Sequence, residues 1–172
     1  MVIKHASRKD IAALIAVETA CFPPAEAATE KEFIDRVQYY GNHFWLLYER
    51  DKLLAFVDGF VTDEPDLTDV MYEDAALLTD DLYEQAALHN ERGAWQMIFG
   101  VNTLPDYRRH GYAGQLLRRA VADARQQGRR GLVLTCKERL LPYYAKFGFQ
   151  DEGVTDKSTH GNVAWHQMRL SF

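Results

Sequence analysis

The chain has 172 residues, 47% of them hydrophobic, which suits one domain with a core of its own. Its net charge of −5 is unevenly placed: residues 1–91 hold 7 Lys/Arg against 19 Asp/Glu, and residues 92–172 hold 13 against 6. No apolar run approaches the roughly 20 residues of a membrane span, and the basic residues are not interleaved with aromatics, which sets aside membrane and nucleic-acid partners.

The opening "MVIKHASRKD" lacks the apolar run of a secretory leader and predicts a short first strand over MVIKHA. Ser7, with Asp10 three positions on, caps a helix whose apolar face is Ile11, Leu14 and Ile15. Pro23 and Pro24 break it. Thr29 and Glu32 form a capping box for a second helix, with Phe33, Ile34 and Val37 on one face and an end near Gly41. "HFWLLYERDKLLAFVDGFV" reads as a hairpin turning between Glu49 and Lys52. Residues 63–90 read as an acidic loop with one helix after Thr79, and no basic residue lies between Lys52 and Arg92.

"AWQMIFGVNT" is apolar on both faces, as a central strand must be. The run from Gly111 to Gln127 is a helix with a buried stripe of Tyr112, Ala113, Leu116, Leu117, Ala120, Val121 and Ala124, and Gly128 ends it. "GLVLTC" is a second buried strand, and "LLPYYAKFG" is a short helix opened by Pro142. "FGFQDEGV" and "GNVAWHQMRLSF" close the chain as strands. One α+β domain over residues 1–172 accounts for these elements. Cys21 and Cys136 lie in different elements with no metal or redox spacing, so a reducing, cytoplasmic setting without a metal is expected.

Between the central strand and the long helix lies "GVNTLPDYRRHGYAGQLL", which puts Arg108, Arg109, His110 and Gly111 in one turn. A helix N-terminus offers unpaired N–H groups and partial positive charge, and small residues let an anion come close. There is neither a P-loop ending nor a Gly-x-Gly-x-x-Gly fingerprint. An ordinary strand-to-helix connection and a phosphate cradle both remain open on these residues alone.

Arg108-x-x-Gly111-x-Ala113 resembles the Arg/Gln-x-x-Gly-x-Gly/Ala signature of the GNAT acetyltransferase superfamily, which cradles the coenzyme A pyrophosphate. Downstream, "LPYYAKFGF" is similar to that superfamily's aromatic-rich helix ending in Gly-Phe, and the order of elements matches over the whole chain. The resemblance implies a mixed, mostly antiparallel central sheet flanked by helices, and acetyl-CoA as cosubstrate. It also implies that Val101, Asn102 and Thr103 pair with pantetheine, and that Arg109, His110, Gly111, Tyr112, Ala113 and Gly114 hold the pyrophosphate. "LVLTCKERLLPYYAKFGFQDEG" looks most like the arylalkylamine (serotonin) N-acetyltransferase group, which places Tyr144 near the CoA sulfur.

The implied reaction is attack of an amine on the thioester. It calls for N–H donors at the strand interruption of Gly100 and Val101, a proton from Tyr144 for the leaving thiolate, and a base. The paired histidines of the arylalkylamine enzymes fall at Met97 and Phe99, so the base is unassigned; Glu73, Asp74, His43 and His166 are the candidates. Carboxylates of the acidic loop favour a small cationic amine, an arylalkylamine or a polyamine. A protein or peptide amine acetyltransferase and a CoA-binding module without turnover are the alternatives. A homodimer is an expected assembly.

Overall fold

The computed structural model describes residues 1–73 and 88–172, with residues 72, 73 and 160 described for their backbone alone. The strands are β1 (Val2–His5), β2 (Phe44–Glu49), β3 (Lys52–Thr62), β4 (Trp95–Thr103), β5 (Gly131–Cys136), β6 (Gln150–Val154) and β7 (His166–Ser171). The helices are α1 (Ile11–Cys21), α2 (Glu30–Tyr40), α3 (Asp69–Glu73), α4 (Tyr112–Gln126) and α5 (Leu141–Ala145). The strands form one mixed sheet of order β1-β2-β3-β4-β5-β7-β6. The pairs β1/β2, β2/β3, β5/β7 and β6/β7 are antiparallel, and β4/β5 is parallel. By contact the chain divides into two compact units, residues 1–59 with 100–120 and residues 60–99 with 121–172.

In the first unit local signals set the helix starts. Thr29 accepts from the Glu32 N–H at 3.3 Å while the Glu32 carboxylate takes the Thr29 N–H, the capping box expected of α2. Asp10 does the same for Ser7, ahead of a 3-10 turn (Arg8–Asp10) that leads into α1. Although burial opposes ionisation, Lys4 at 2.6 Å, the Ser7 N–H and hydroxyl, and the Tyr48 hydroxyl at 2.8 Å hold the Asp10 carboxyl below its ordinary range. That carboxylate ties β1 and β2 to the helix entry. Phe33, Phe44 and Phe56 are buried together, with Phe33 edge-on to Phe56 at 6.1 Å and Phe44 stacked on it at 6.5 Å. Ile34 departs from expectation: it is 36% exposed, because one position beyond Phe33 turns it about 100° away from the buried face.

In the second unit, β5 is buried over Gly131–Leu134 and lies between β4 and β7. A Cβ at Gly131 would collide with the Leu170 carbonyl of β7, so only glycine lets the strands close at that point. The guanidinium of Arg129 donates to the carbonyls of Glu91 at 2.8 Å and Gly93 at 2.7 Å, closing the turn before β4. Asp66 and Glu152 both accept from Arg169, and Gln167 bonds to each of them, joining the segment before α3 to the β6–β7 pair.

One expectation at the chain end needs correction. "GNVAWHQMRLSF" is a strand only from His166, because Gly161 (φ 72°) and Asn162 (φ 54°) are left-handed in succession and make a turn of its opening residues. In β6 the left-handed Gly153 (φ 94°) shifts the register against β7 between Asp151 and Val154. The short α3 falls where loop was expected, and the helix expected after Thr79 lies outside the described residues.

Candidate active site

The strand-to-helix turn is shaped from both ends. At the β4 end, the Leu104 N–H donates to the Leu54 carbonyl at 2.9 Å, and a 3-10 turn (Pro105–Tyr107) follows. Lys52 Nζ stands 3.3 Å from the Tyr107 hydroxyl and 4.7 Å over its ring, while Arg108 Nε donates to the Thr103 carbonyl at 3.3 Å. His110 Nδ1 lies 2.9 Å from the Arg108 carbonyl and 3.1 Å from that of Tyr107, two acceptors, so Nδ1 carries the proton. The same ring stacks on Tyr112 at 5.6 Å. The His110 side chain therefore builds the turn from within.

Arg109 (φ 65°) and Gly111 (φ 79°) are left-handed on either side of His110, which is not. Such alternation turns successive N–H groups toward one point and makes an anion-binding concavity. A Cβ at Gly111 would meet nothing within 4 Å, so glycine serves the backbone conformation there, not clearance. Gln115 donates to the Gly111 carbonyl at 3.0 Å, so the amides of Tyr112, Ala113 and Gly114 precede the helical ladder. With the exposed Arg108 and Arg109 beside them, these groups fit a diphosphate.

The β4–β5 ladder runs from Trp95↔Gly131 to Ile98↔Leu134, and both strands continue past it. On the later part of β4, Asn102 is buried and its Nδ2 donates to Glu18 Oε2 at 3.3 Å, so it can offer a ligand only its main chain. The Thr103 carbonyl accepts from Cys21 Sγ at 3.3 Å as well as from Arg108. Asp58 of β3 stands where a side chain at residue 100 would begin, and its carboxyl takes the Gly100 N–H. That corrects the expected pair of donors at the strand interruption, because the Gly100 N–H is engaged by Asp58.

The chain matches the acetyltransferase (GNAT) family model over residues 11–149. It belongs to that family. No curated protein matches it significantly. Its structure is similar to the GNAT-like decarboxylase GphF in complex with isobutyryl-CoA, with a TM-score of 0.77 and 22% identity over 99% of each chain. It is also similar to the loading GNATL domain of CurA from Lyngbya majuscula, with a TM-score of 0.76 and 18% identity over 99% of this chain and 96% of that one. Arabidopsis thaliana Naa50, in complex with a bisubstrate analogue, matches with a TM-score of 0.70 and 17% identity over 99% of this chain and 98% of that one. At these identities the likeness bears on the fold.

The first unit also holds a buried polar cluster whose members come from four elements. Glu18 Oε1 accepts from the Ala28 N–H at 3.1 Å, and Arg36 Nη1 lies 3.7 Å from Asp58 Oδ2. Asp58 Oδ2 and Arg36 Nε have no hydrogen-bond partner. Burial pushes the Asp58 carboxyl up to about 7, against the pull of Arg36, and burial also raises Glu18. The native state therefore holds a proton that an unfolded Asp releases near pH 4. Stability from this group is present below about pH 4 and is lost as pH rises toward 7. Asp58→Asn removes that dependence. In denaturant titrations the wild type should lose stability relative to the Asn variant between pH 4 and 7, by at most about 1.4 kcal/mol per pH unit. A difference that stays constant across that window would contradict a raised Asp58.

The remaining candidates sort by unit. Tyr144 lies in the second unit, 8% exposed, edge-on to Tyr143 at 5.1 Å and to Phe149 at 6.2 Å. Met97 is fully buried and Phe99 packs on Phe60 at 4.9 Å, so both positions of the missing histidines are packing positions. His43 is fully buried beside Trp45 at 6.2 Å, which removes it as a base reached by a substrate. Asp74 and the side chain of Glu73 lie outside the described residues. His166 has a carboxylate partner, Asp151 Oδ1, at 3.0 Å from Nδ1. Cys136 donates to Met168 Sδ at 3.6 Å, and burial, then Asp151, pushes its thiol up to about 11, so it is no nucleophile.

Proposed function

We propose that the chain is an acetyl-CoA-dependent N-acetyltransferase that delivers the acetyl group directly to a small primary amine, an arylalkylamine or a polyamine. The observation that carries the reading is the turn from Arg109 to Gly114, whose converging amides and flanking arginines suit a diphosphate. Acetyl-CoA supplies the activated thioester. The amides of Tyr112, Ala113 and Gly114 hold the pyrophosphate, and the main chain of Val101 and Asn102 pairs with pantetheine. The Val101 N–H faces the acyl oxygen, a donor fixed in place by the hold of Asp58 on Gly100. Tyr144 keeps a hydroxyl proton for the sulfur, in a buried setting that excludes water.

A peptide α-amine is the second acceptor reading, favoured by the likeness to Naa50, which is bound to a CoA–peptide analogue. Thiol release from acetyl-CoA and isobutyryl-CoA across arylalkylamines, polyamines and short peptides decides among these. The expected result is acetyl-dependent release with at least one small amine above the rate without acceptor. Release with peptides alone moves the assignment to the second reading. Tight CoA binding without turnover on any acceptor makes the chain a binding module.

A further inference from the structure

We propose that His166, held by Asp151, accepts the proton of the incoming amine. The inference rests on the acyl-transfer reading and supplies the base that Met97 and Phe99 do not provide. His166 opens β7 and pairs with Cys136, the last residue of β5, and with Val154 of β6. The β4–β5 ladder has already ended two residues earlier, at Leu134. His166 therefore stands at the end of the sheet where β5 has parted from its parallel neighbour. The segment that carries Tyr144 leaves from the same end, since α5 begins five residues after Cys136.

Paired residues on neighbouring strands share a face, so Cys136, His166, Met168 and Leu170 lie on one side, with Asp151 opposite Met168. A Cβ at Gly148, just beyond α5, would lie 3.4 Å from the Leu170 side chain on that side. The face that carries His166 is thus the face that the α5 segment covers. Arg169 and Gln167 point to the other one, with Glu152 and Asp66.

The pair is arranged as a base and its holder. Asp151 Oδ1 accepts from the Gly153 N–H at 2.8 Å, and this bond, with His166 next, holds the carboxyl below its ordinary range. In the neutral ring, a charged carboxylate at Nδ1 makes that nitrogen the donor and leaves Nε2 with its lone pair. The imidazole side chain is 15% exposed, open enough to reach a ligand and fixed enough to aim. Beside this strand end, among the described residues, stand the neutral Cys136 thiol on β5 and Lys137, whose Nζ lies 6.0 Å from the Trp165 ring. In the step itself the amine nitrogen bonds the acetyl carbon while the carbon–sulfur bond breaks. His166 Nε2 takes one N–H proton, and Tyr144 gives one to the thiolate. Proton exchange with solvent resets both groups.

His166→Gln, His166→Asn and Asp151→Asn test the assignment in the full chain, with acetyl-CoA and the best amine of the panel. Both His166 variants should lose about 10²-fold or more in kcat, with the Kd for CoA within about twofold of wild type. The ascending limb of the wild-type kcat/KM–pH profile should vanish with them, and added imidazole should restore part of the rate to His166→Asn. Asp151→Asn should lower kcat with KM for acetyl-CoA unchanged. If His166 merely bridges β6 and β7, the variants will lose stability but keep the pH profile and a rate within about threefold, which overturns the proposal. Wild-type thiol release that no acceptor raises above the acceptor-free rate overturns the acyl-transfer reading and this inference together.

Discussion

Tyr144→Phe lowers kcat by about 10²–10⁴-fold and leaves the Kd for CoA within about twofold, if the hydroxyl protonates the departing sulfur. The change removes one O–H and keeps the ring, whose edge contacts with Tyr143 and Phe149 hold it 8% exposed. The packing of the ring is therefore preserved. A structural role for this residue makes the opposite forecast, because Phe fills the same space and would leave turnover near wild type. Stopped-flow thiol release at saturating acetyl-CoA separates the two. A rate within threefold of wild type removes Tyr144 from the chemistry.

Gly111→Val weakens CoA binding by at least about tenfold, and this effect comes from the backbone alone. At φ 79° any L-residue costs about 1–2 kcal/mol, a β-branched one more, and each 1.4 kcal/mol is tenfold in affinity. No neighbour lies within 4 Å of the added Cβ, so steric collision contributes nothing. The variant can relieve its strain only by turning Gly111 away from the left-handed region, which disperses the amides that converge there. Gly111→Asn is the control. Asn tolerates the left-handed region and should keep most of the affinity. Calorimetric titration of both variants checks the pair, and equal affinities for Val and Asn would contradict a conformational role.

What could be read in the residues followed the range of the interactions. Both capping boxes are i, i+3 patterns and appear where expected, whereas Gly111, expected as clearance for a ligand, serves instead a left-handed backbone. The buried cluster gathers residues 18, 36, 58, 100 and 102 from four elements, which no periodicity encodes. One signal was present: Asp58 is a lone carboxyl in a strand buried without a break from Leu53 to Thr62. A charge there must have partners. The Asp151–His166 pair depends on the register of β6 against β7, itself shifted by Gly153, so neither residue could nominate the other. The Gly161-Asn162 dipeptide was a turn signal inside an otherwise strand-like run. Family membership rests on residues 11–149 together, whereas Met97 and Phe99 stand where the arylalkylamine pattern has histidines, so that finer resemblance ends there.

The central claim is that the turn between β4 and α4 holds the coenzyme A pyrophosphate. Its most direct test compares acetyl-CoA with S-acetylpantetheine, which keeps the thioester and the pantetheine arm but has no diphosphate. In calorimetric titrations of the wild type, acetyl-CoA should bind at least about 100-fold more tightly, the equivalent of roughly 2.7 kcal/mol, and Gly111→Val should erase most of that difference. Equal affinity for the two ligands, or a preference for acetyl-CoA that Gly111→Val leaves untouched, would contradict it.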